Sequence, residues 1–290
     1  MKGLAMAGVL LSCSIAFAQD APDGAGAPPP PPPATAPPPA TTPPPPAAAM
    51  PPGEVATAPP IGPGDQGVLV DPNQDHAWYL PTGETTPAGK TVFTDWELLL
   101  VGIKHGLTDN IELSGEALVP LTSDFPILVI AGMKARVVKT SNLRIAVNGN
   151  LLYLKTQGSG SNDSLALGWV GGAASLCLDT ECHSLLTGGL QVFFGINTNN
   201  TTSAFVYTPS VSLIGRLGKH VKALIEVDSG GYYENGNSQL GKGALLMYGL
   251  RFHSEDIAGD IGFARPVCSS GCDTGSLLLG IPLVTFSYRF

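Results

Sequence analysis

From about residue 76 onward the chain breaks into apolar runs of strand length in which greasy and polar positions largely alternate. A strand sends successive side chains to opposite faces, so a run of period two has one apolar face and one wet face. Leu143, Ile145, Val147, Leu151 and Tyr153 share one face of their run, and Arg144, Asn148 and Asn150 share the other. The split recurs with Leu246, Tyr248, Leu250 and Phe252 against Arg251, and with Ile111, Leu113, Ala117 and Val119 against Glu112, Ser114 and Glu116. Residues 165–178 alternate poorly, which leaves their register open, and Gly171 and Gly172 there mark a bend or bulge.

Two kinds of connection separate the runs. Short ones fall at 106–110, 139–142, 179–183, 217–220 and 253–256, and generally longer, softer ones alternate with them, including 82–90, 121–126, 157–164, 197–203, 233–241 and 268–275. The runs between predict strands at 76–82, 91–105, 111–119, 127–138, 143–154, 165–178, 184–197, 204–217, 221–233, 243–252, 257–266 and 277–290. Strict alternation of short and long loops between strands of about ten residues predicts an all-β, antiparallel, up-and-down transmembrane barrel of about twelve strands. The even count depends on the weak run 76–82. A soluble β-sandwich is the competing reading, since it also alternates, but with shorter strands and no need for alternating loop lengths.

Composition supports a membrane setting. Only 13% of the 290 residues are charged, against about 25% in an average soluble domain. After the N-terminus no run approaches the roughly 20 unbroken apolar residues of a spanning helix. A net charge of -8 argues against nucleic acid as a partner. Residues 1–18, with Lys2, an apolar stretch and Ala16-Phe17-Ala18, read as a secretory signal; lipidation at Cys13 is the alternative. Most of the 27 prolines lie between Pro28 and Pro60, where Glu54 is the one charge. Residues 19–75 are therefore expected to be an extended, disordered spacer in the periplasm, with the cell wall within its reach as a partner, and folding is expected from His76 to Phe290.

The last strand carries the resemblance. Phe286, Tyr288 and Phe290 alternate with polar residues and end the chain on an aromatic. In this the chain resembles the outer-membrane β-barrel proteins of double-membraned bacteria, porin-like barrels among them, over residues 76–290. The resemblance implies an outer-membrane location, lipid as the surrounding partner, and a terminal strand read by the barrel-insertion machinery.

Candidate chemistry lies on the inward face, which by alternation should hold Asp95, Glu97, Glu112, Glu116, Lys134, Arg136, Arg144, Arg216, Lys222, Glu226, Asp228, Arg251, Asp260 and Arg289. Such charges must pair across the lumen or line a wet passage. A narrow channel for small polar solutes, a closed structural or adhesive barrel, and an outer-membrane hydrolase are the readings in play. With no HExxH, GxSxG or phosphate loop, and with histidines placed away from Asp95 and Glu97, no catalytic residue, cofactor or metal is assigned. In an oxidising compartment Cys177 with Cys182, and Cys268 with Cys272, are expected to form two local disulfides.

Overall fold

The computed structural model describes residues 71–121, 125–156, 164–195, 205–234, 237–268 and 279–290. Among them twelve antiparallel strands form one closed barrel in which each strand pairs with its sequence neighbours and the last closes on the first. In chain order these are β1 (Thr91–Trp96), β2 (Leu100–Thr108), β3 (Ile111–Leu118), β4 (Ile127–Lys139), β5 (Leu143–Lys155) and β6 (Ser164–Cys177). The second half is β7 (Leu185–Gly195), β8 (Phe205–Arg216), β9 (Val221–Glu234), β10 (Asn237–His253), β11 (Ile257–Cys268) and β12 (Ile281–Arg289). No described helix is long and apolar enough to cross a membrane.

The strand count is reached by a different route from the sequence reading. Residues 76–82 are not a wall strand; they form a small hairpin inside the barrel, with a single bridge between His76 and Pro81. The run 91–105 instead holds two strands, β1 and the start of β2, joined by a turn at 97–99 in which Glu97 and Leu98 adopt φ of 55° and 60°. Left-handed backbone is normally signalled by Gly or Asn, and neither stands there, so the turn has no sequence mark. A second correction concerns 233–241: β9 runs on to Glu234 and β10 starts at Asn237, with a register shift between Leu240 and Ala244.

The two faces of the wall differ sharply. Met133, Val147, Leu151, Leu190, Val211, Ile225 and Ile261 are exposed on the outer side, as are Phe286, Tyr288 and Phe290. On the inner side lies the buried core, where Leu185, Ile214, Leu224, Met247, Ala264 and Leu283 pack against Ala77 and Trp78. The core therefore occupies the lumen, running from Leu185 and Ile214 beside the short turns to Ala264 and Leu283 further up β11 and β12.

The seam between β1 and β12 is stitched at that same end by Phe290, whose N–H donates to the Thr91 carbonyl at 2.9 Å and whose carbonyl accepts the Thr91 N–H at 3.1 Å. Deleting Phe290 removes both bonds and one outward aromatic, and leaves Thr91 as an unpaired edge. The expected result is a lower folded yield and a lower unfolding midpoint in the heat-dependent gel-mobility assay; an unchanged midpoint would show that the seam does not depend on this residue. Cys177 and Cys182 are joined by a disulfide across the turn between β6 and β7. The second expected pair involves Cys272, which lies outside the described residues.

Candidate functional site: the lumen and its inner segment

The chain ahead of β1 enters the lumen from the short-turn end and folds back on itself. The Ala77 N–H donates to the Leu80 carbonyl at 3.0 Å and the Thr82 N–H to the Asp75 carbonyl at 2.8 Å. A hairpin tip leaves backbone N–H groups pointing outward, and buried donors need partners. Here the Glu226 carboxylate of β9 supplies them, accepting the N–H groups of Trp78, Tyr79 and Leu80 at 2.8, 3.0 and 2.9 Å. One wall carboxylate thus caps the whole tip.

Charges on the wall hold the rest. Asp71 sits between Lys222 of β9 at 2.9 Å and Arg251 of β10 at 3.3 Å. Arg251 also forks onto Asp260 of β11, at 2.7 and 2.9 Å, and donates to the carbonyls of Asn73, His76 and Ala77. On another side of the lumen Asp75 takes the Lys104 ammonium of β2 at 2.6 Å, and Lys134 of β4 donates to the Asp75 carbonyl at 2.9 Å. Further along, Glu84 pairs with Arg136 of β4 at 2.7 Å and Arg144 of β5 at 3.2 Å. The Gly83 N–H donates to Ser175 of β6 and the Thr86 N–H to Glu112 of β3, at 2.8 and 2.7 Å. Residues 71–88 are therefore tied to opposite walls and cross the lumen.

Shape complements charge. Gly249 of β10 and Gly262 of β11 are register partners, and a Cβ on either would lie 2.9 or 2.6 Å from the Trp78 ring and closer still to backbone. A Cβ at Gly189 of β7 would meet Leu80 at 2.5 Å. The missing side chains form the slots into which the segment's two large apolar residues fit. Gly262→Val is expected to drive Trp78 out of its slot and shift its emission to the red, as burial is lost. A spectrum matching the parent would mean the slot is not required.

The two aspartates of the segment are held in their charged forms and His76 in its neutral one. Burial alone would raise the Asp71 carboxyl, but Arg251 and Lys222 outweigh it and hold it well below its ordinary 3.8. Burial is likewise overridden at Asp75 by Lys104, His76 and Lys134, which keep it ionised. For His76, burial and the neighbouring Lys104 outweigh Asp75 and lower the imidazole below its ordinary 6.5.

The structure distributes the sequence-derived lumen residues unevenly. Glu112, Lys134, Arg136, Arg144 and Glu226 face inward and bond to the segment. Glu116 and Asp228 share the inward faces of Glu112 and Glu226, two strand steps or one further from the short turns, beyond the segment. Asp95 is turned the other way: it pairs with Phe286 and Val101 on the outer face, because inward alternation on β1 runs through Val92 and Thr94. Glu97 lies in the β1–β2 turn, where its Oε1 accepts the Val284 N–H at 2.8 Å. Asp71, Asp75, Glu84 and Lys104 are functional residues that sequence reading missed. The available signal was the return of acidic residues at Asp65, Asp71 and Asp75 after a proline run whose one charge is Glu54.

Among the described residues no group of three or more His, Cys, Asp or Glu is arranged to hold a metal. What the site does have is a closed β-barrel with an inner segment of its own chain across it.

No protein-family model and no curated protein matches the chain. Solved structures similar to it include LpxR from Salmonella typhimurium, at 10% identity and a TM-score of 0.39 over 69% of this chain and 99% of that one. The outer-membrane expressed OmpT of Vibrio cholerae has 12% identity and a TM-score of 0.35, over 66% of this chain and 64% of that one. OccAB3 of Acinetobacter baumannii has 9% identity and a TM-score of 0.34, over 66% and 54%. The architecture described above stands on the strand pairing itself.

Proposed function

We propose that the chain is a bacterial outer-membrane β-barrel, non-catalytic, whose lumen is shut at rest by residues 71–88 and passes small polar solutes only when that segment moves. The membrane reading is supported by the exposed apolar outer face, which water would penalise and hydrocarbon would not. Short turns lie on the periplasmic side of such barrels. The single observation that carries closure is the anchoring of one segment to opposite walls, through Lys222 and Arg251 on one side and Lys104 and Lys134 on the other. The charged inner face serves the chain's own segment first and any solute second.

Planar-bilayer recording of the full-length protein tests this. At neutral pH no steady current is expected. Acid should release the segment, and the sign follows from the groups that hold it. Carboxyls held low in the seated state favour seating above their ordinary 3.8 and lose that contribution as pH falls below it. His76, also held low, binds its proton more readily once released, so it favours release as pH falls below 6.5. Opening should begin below about pH 6 and become frequent below about pH 4. Steady current from the full-length protein at pH 7 would sink the closed-at-rest reading.

A further inference from the structure

We infer that the half of the lumen beyond the segment is a chamber for a long-chain amphiphile with a cationic head, exchanged sideways with the surrounding lipid. The inference rests on the membrane reading above, and four observations carry it.

The first is the lining. Residues that share the inward face of Lys134 through the register of β4, β5 and β6 are, beyond the segment, Leu128, Ile130, Leu152, Leu154, Leu167 and Trp169. None of these is fully buried. Leucines only partly buried while facing an interior suit a hydrocarbon chain on this side of the lumen, while Glu116 of β3 and Asp228 of β9 leave a polar side for water.

The second is the height of the wall. β12, β1, β2 and β3 are 9, 6, 9 and 8 residues long, whereas each of the other strands has at least 11. At about 3.3 Å per residue and a tilt near 40°, β1 rises only ~15 Å and its neighbours ~20–23 Å, against an apolar band of ~25 Å. Counted from the short turns, the described strands on this side stop within the hydrocarbon.

The third is the lip itself. Backbone exposed to lipid must satisfy its own donors. The Glu97 N–H donates to the Val284 carbonyl at 3.0 Å, the Leu99 N–H to the Trp96 carbonyl at 3.0 Å, and the Val119 N–H to the Leu99 carbonyl at 2.7 Å. Glu97 in turn accepts the Val284 N–H, and Leu98, the residue at the crest, is 77% exposed. An apolar crest over a self-satisfied turn is built for contact with acyl chains.

The fourth is charge. Among the side chains described, the inward Lys and Arg lie in the short-turn half, bonded to the segment or at the rim, while Glu116, Asp228 and, at the lip, Glu97 are acidic. On the chamber floor Tyr79 stacks on Trp96 at 5.3 Å between ring centroids, and Tyr79 is 45% exposed. Acidic groups beside an aromatic face attract an ammonium and repel a carboxylate.

All three tryptophans, Trp78, Trp96 and Trp169, are turned to the lumen or lie within it, so a heavy-atom quencher on a chain tail reads occupancy of the interior. The test uses the full-length mature protein in phosphatidylcholine vesicles, titrated with ω-bromododecyltrimethylammonium and, separately, ω-bromododecanoate. Saturable quenching by the ammonium probe is expected, with half-saturation for the carboxylate at least about tenfold higher. Leu152→Gln with Leu154→Gln should raise the ammonium half-saturation by about tenfold. Asp228→Asn, which keeps the shape, should narrow the gap between the two probes. Quenching that merely follows the probe's lipid concentration without saturating, or equal quenching by both probes, overturns the inference for protein that has inserted. Insertion is read independently by heat-dependent gel mobility, and a chain that fails to insert overturns the membrane reading and this inference with it.

Discussion

Deleting residues 71–88 is expected to turn a silent barrel into a conducting, anion-preferring one. The segment crosses the lumen from Lys222 and Arg251 to Lys104 and Lys134, and its removal leaves no described residue across that half. The same deletion strips Asp71, Asp75 and Glu84 from six inward cations: Lys104, Lys134, Arg136, Arg144, Lys222 and Arg251. Only Glu112, Glu226 and Asp260 remain to balance them at that level. A narrow water path lined with excess positive charge favours anions. Current in planar bilayers should rise by at least about tenfold over the full-length protein, and the reversal potential in a KCl gradient should move toward that of chloride. A synthetic peptide of residues 71–88, added on the short-turn side, should restore closure. A deletion variant that is folded, inserted and still silent would mean that something other than this segment closes the lumen.

The largest single-residue effect is expected at Arg251. Its guanidinium is fully buried, forks onto Asp260, reaches Asp71, and donates to three carbonyls of the segment. Arg251→Ala leaves Asp260 as a buried charge without its partner and loosens the segment at the same time. Breaking a buried pair from one side costs about 3–5 kcal/mol. Arg251→Lys keeps the charge but not the planar fork, so its loss should be smaller, though not negligible. Urea unfolding of the refolded protein in detergent micelles, followed by tryptophan emission, measures both. If Arg251→Ala unfolds within about 1 kcal/mol of the parent, the network does not hold the segment as described.

Much of the wall was legible in the sequence because a half-wet barrel strand writes its two faces in alternate letters. β4, β5, β8 and β9 fall within a residue or so of where the alternation and short turns put them. The failures have physical reasons. Residues 76–82 alternate like a strand, but their backbone donors are taken by the Glu226 side chain, a partner 146 to 148 residues away that no local pattern discloses. The turn at 97–99 is made by Glu97 and Leu98 in a backbone region that seldom takes such residues, so 91–105 reads as one strand. Asp95 reads as inward because it is charged, yet the inner face of β1 is held by the even-numbered Val92, Thr94 and Trp96. The inward charges were visible, but their partners lay in a stretch whose composition reads as spacer. Leu152 and Leu154 face the lumen beside the outward Leu151 and Tyr153, so apolar residues on both faces blurred the alternation where the chamber begins.

The inner segment also sets an order of events. Its anchors lie far along the chain: Asp71 and Arg251 are 180 residues apart, and Trp78 and Glu226 are 148 apart. Closing loops of that size is slow, and no early local contact rewards it. The part of the ordered chain made first therefore cannot be secured until β9, β10 and β11 have been laid down and brought round to it. Those strands arrive just before the β12 that must meet β1. Seating the segment and closing the cylinder thus draw on the same late strands, and the Arg251–Asp260 pair, which spans β10 and β11 while gripping Asp71, joins the two steps into one.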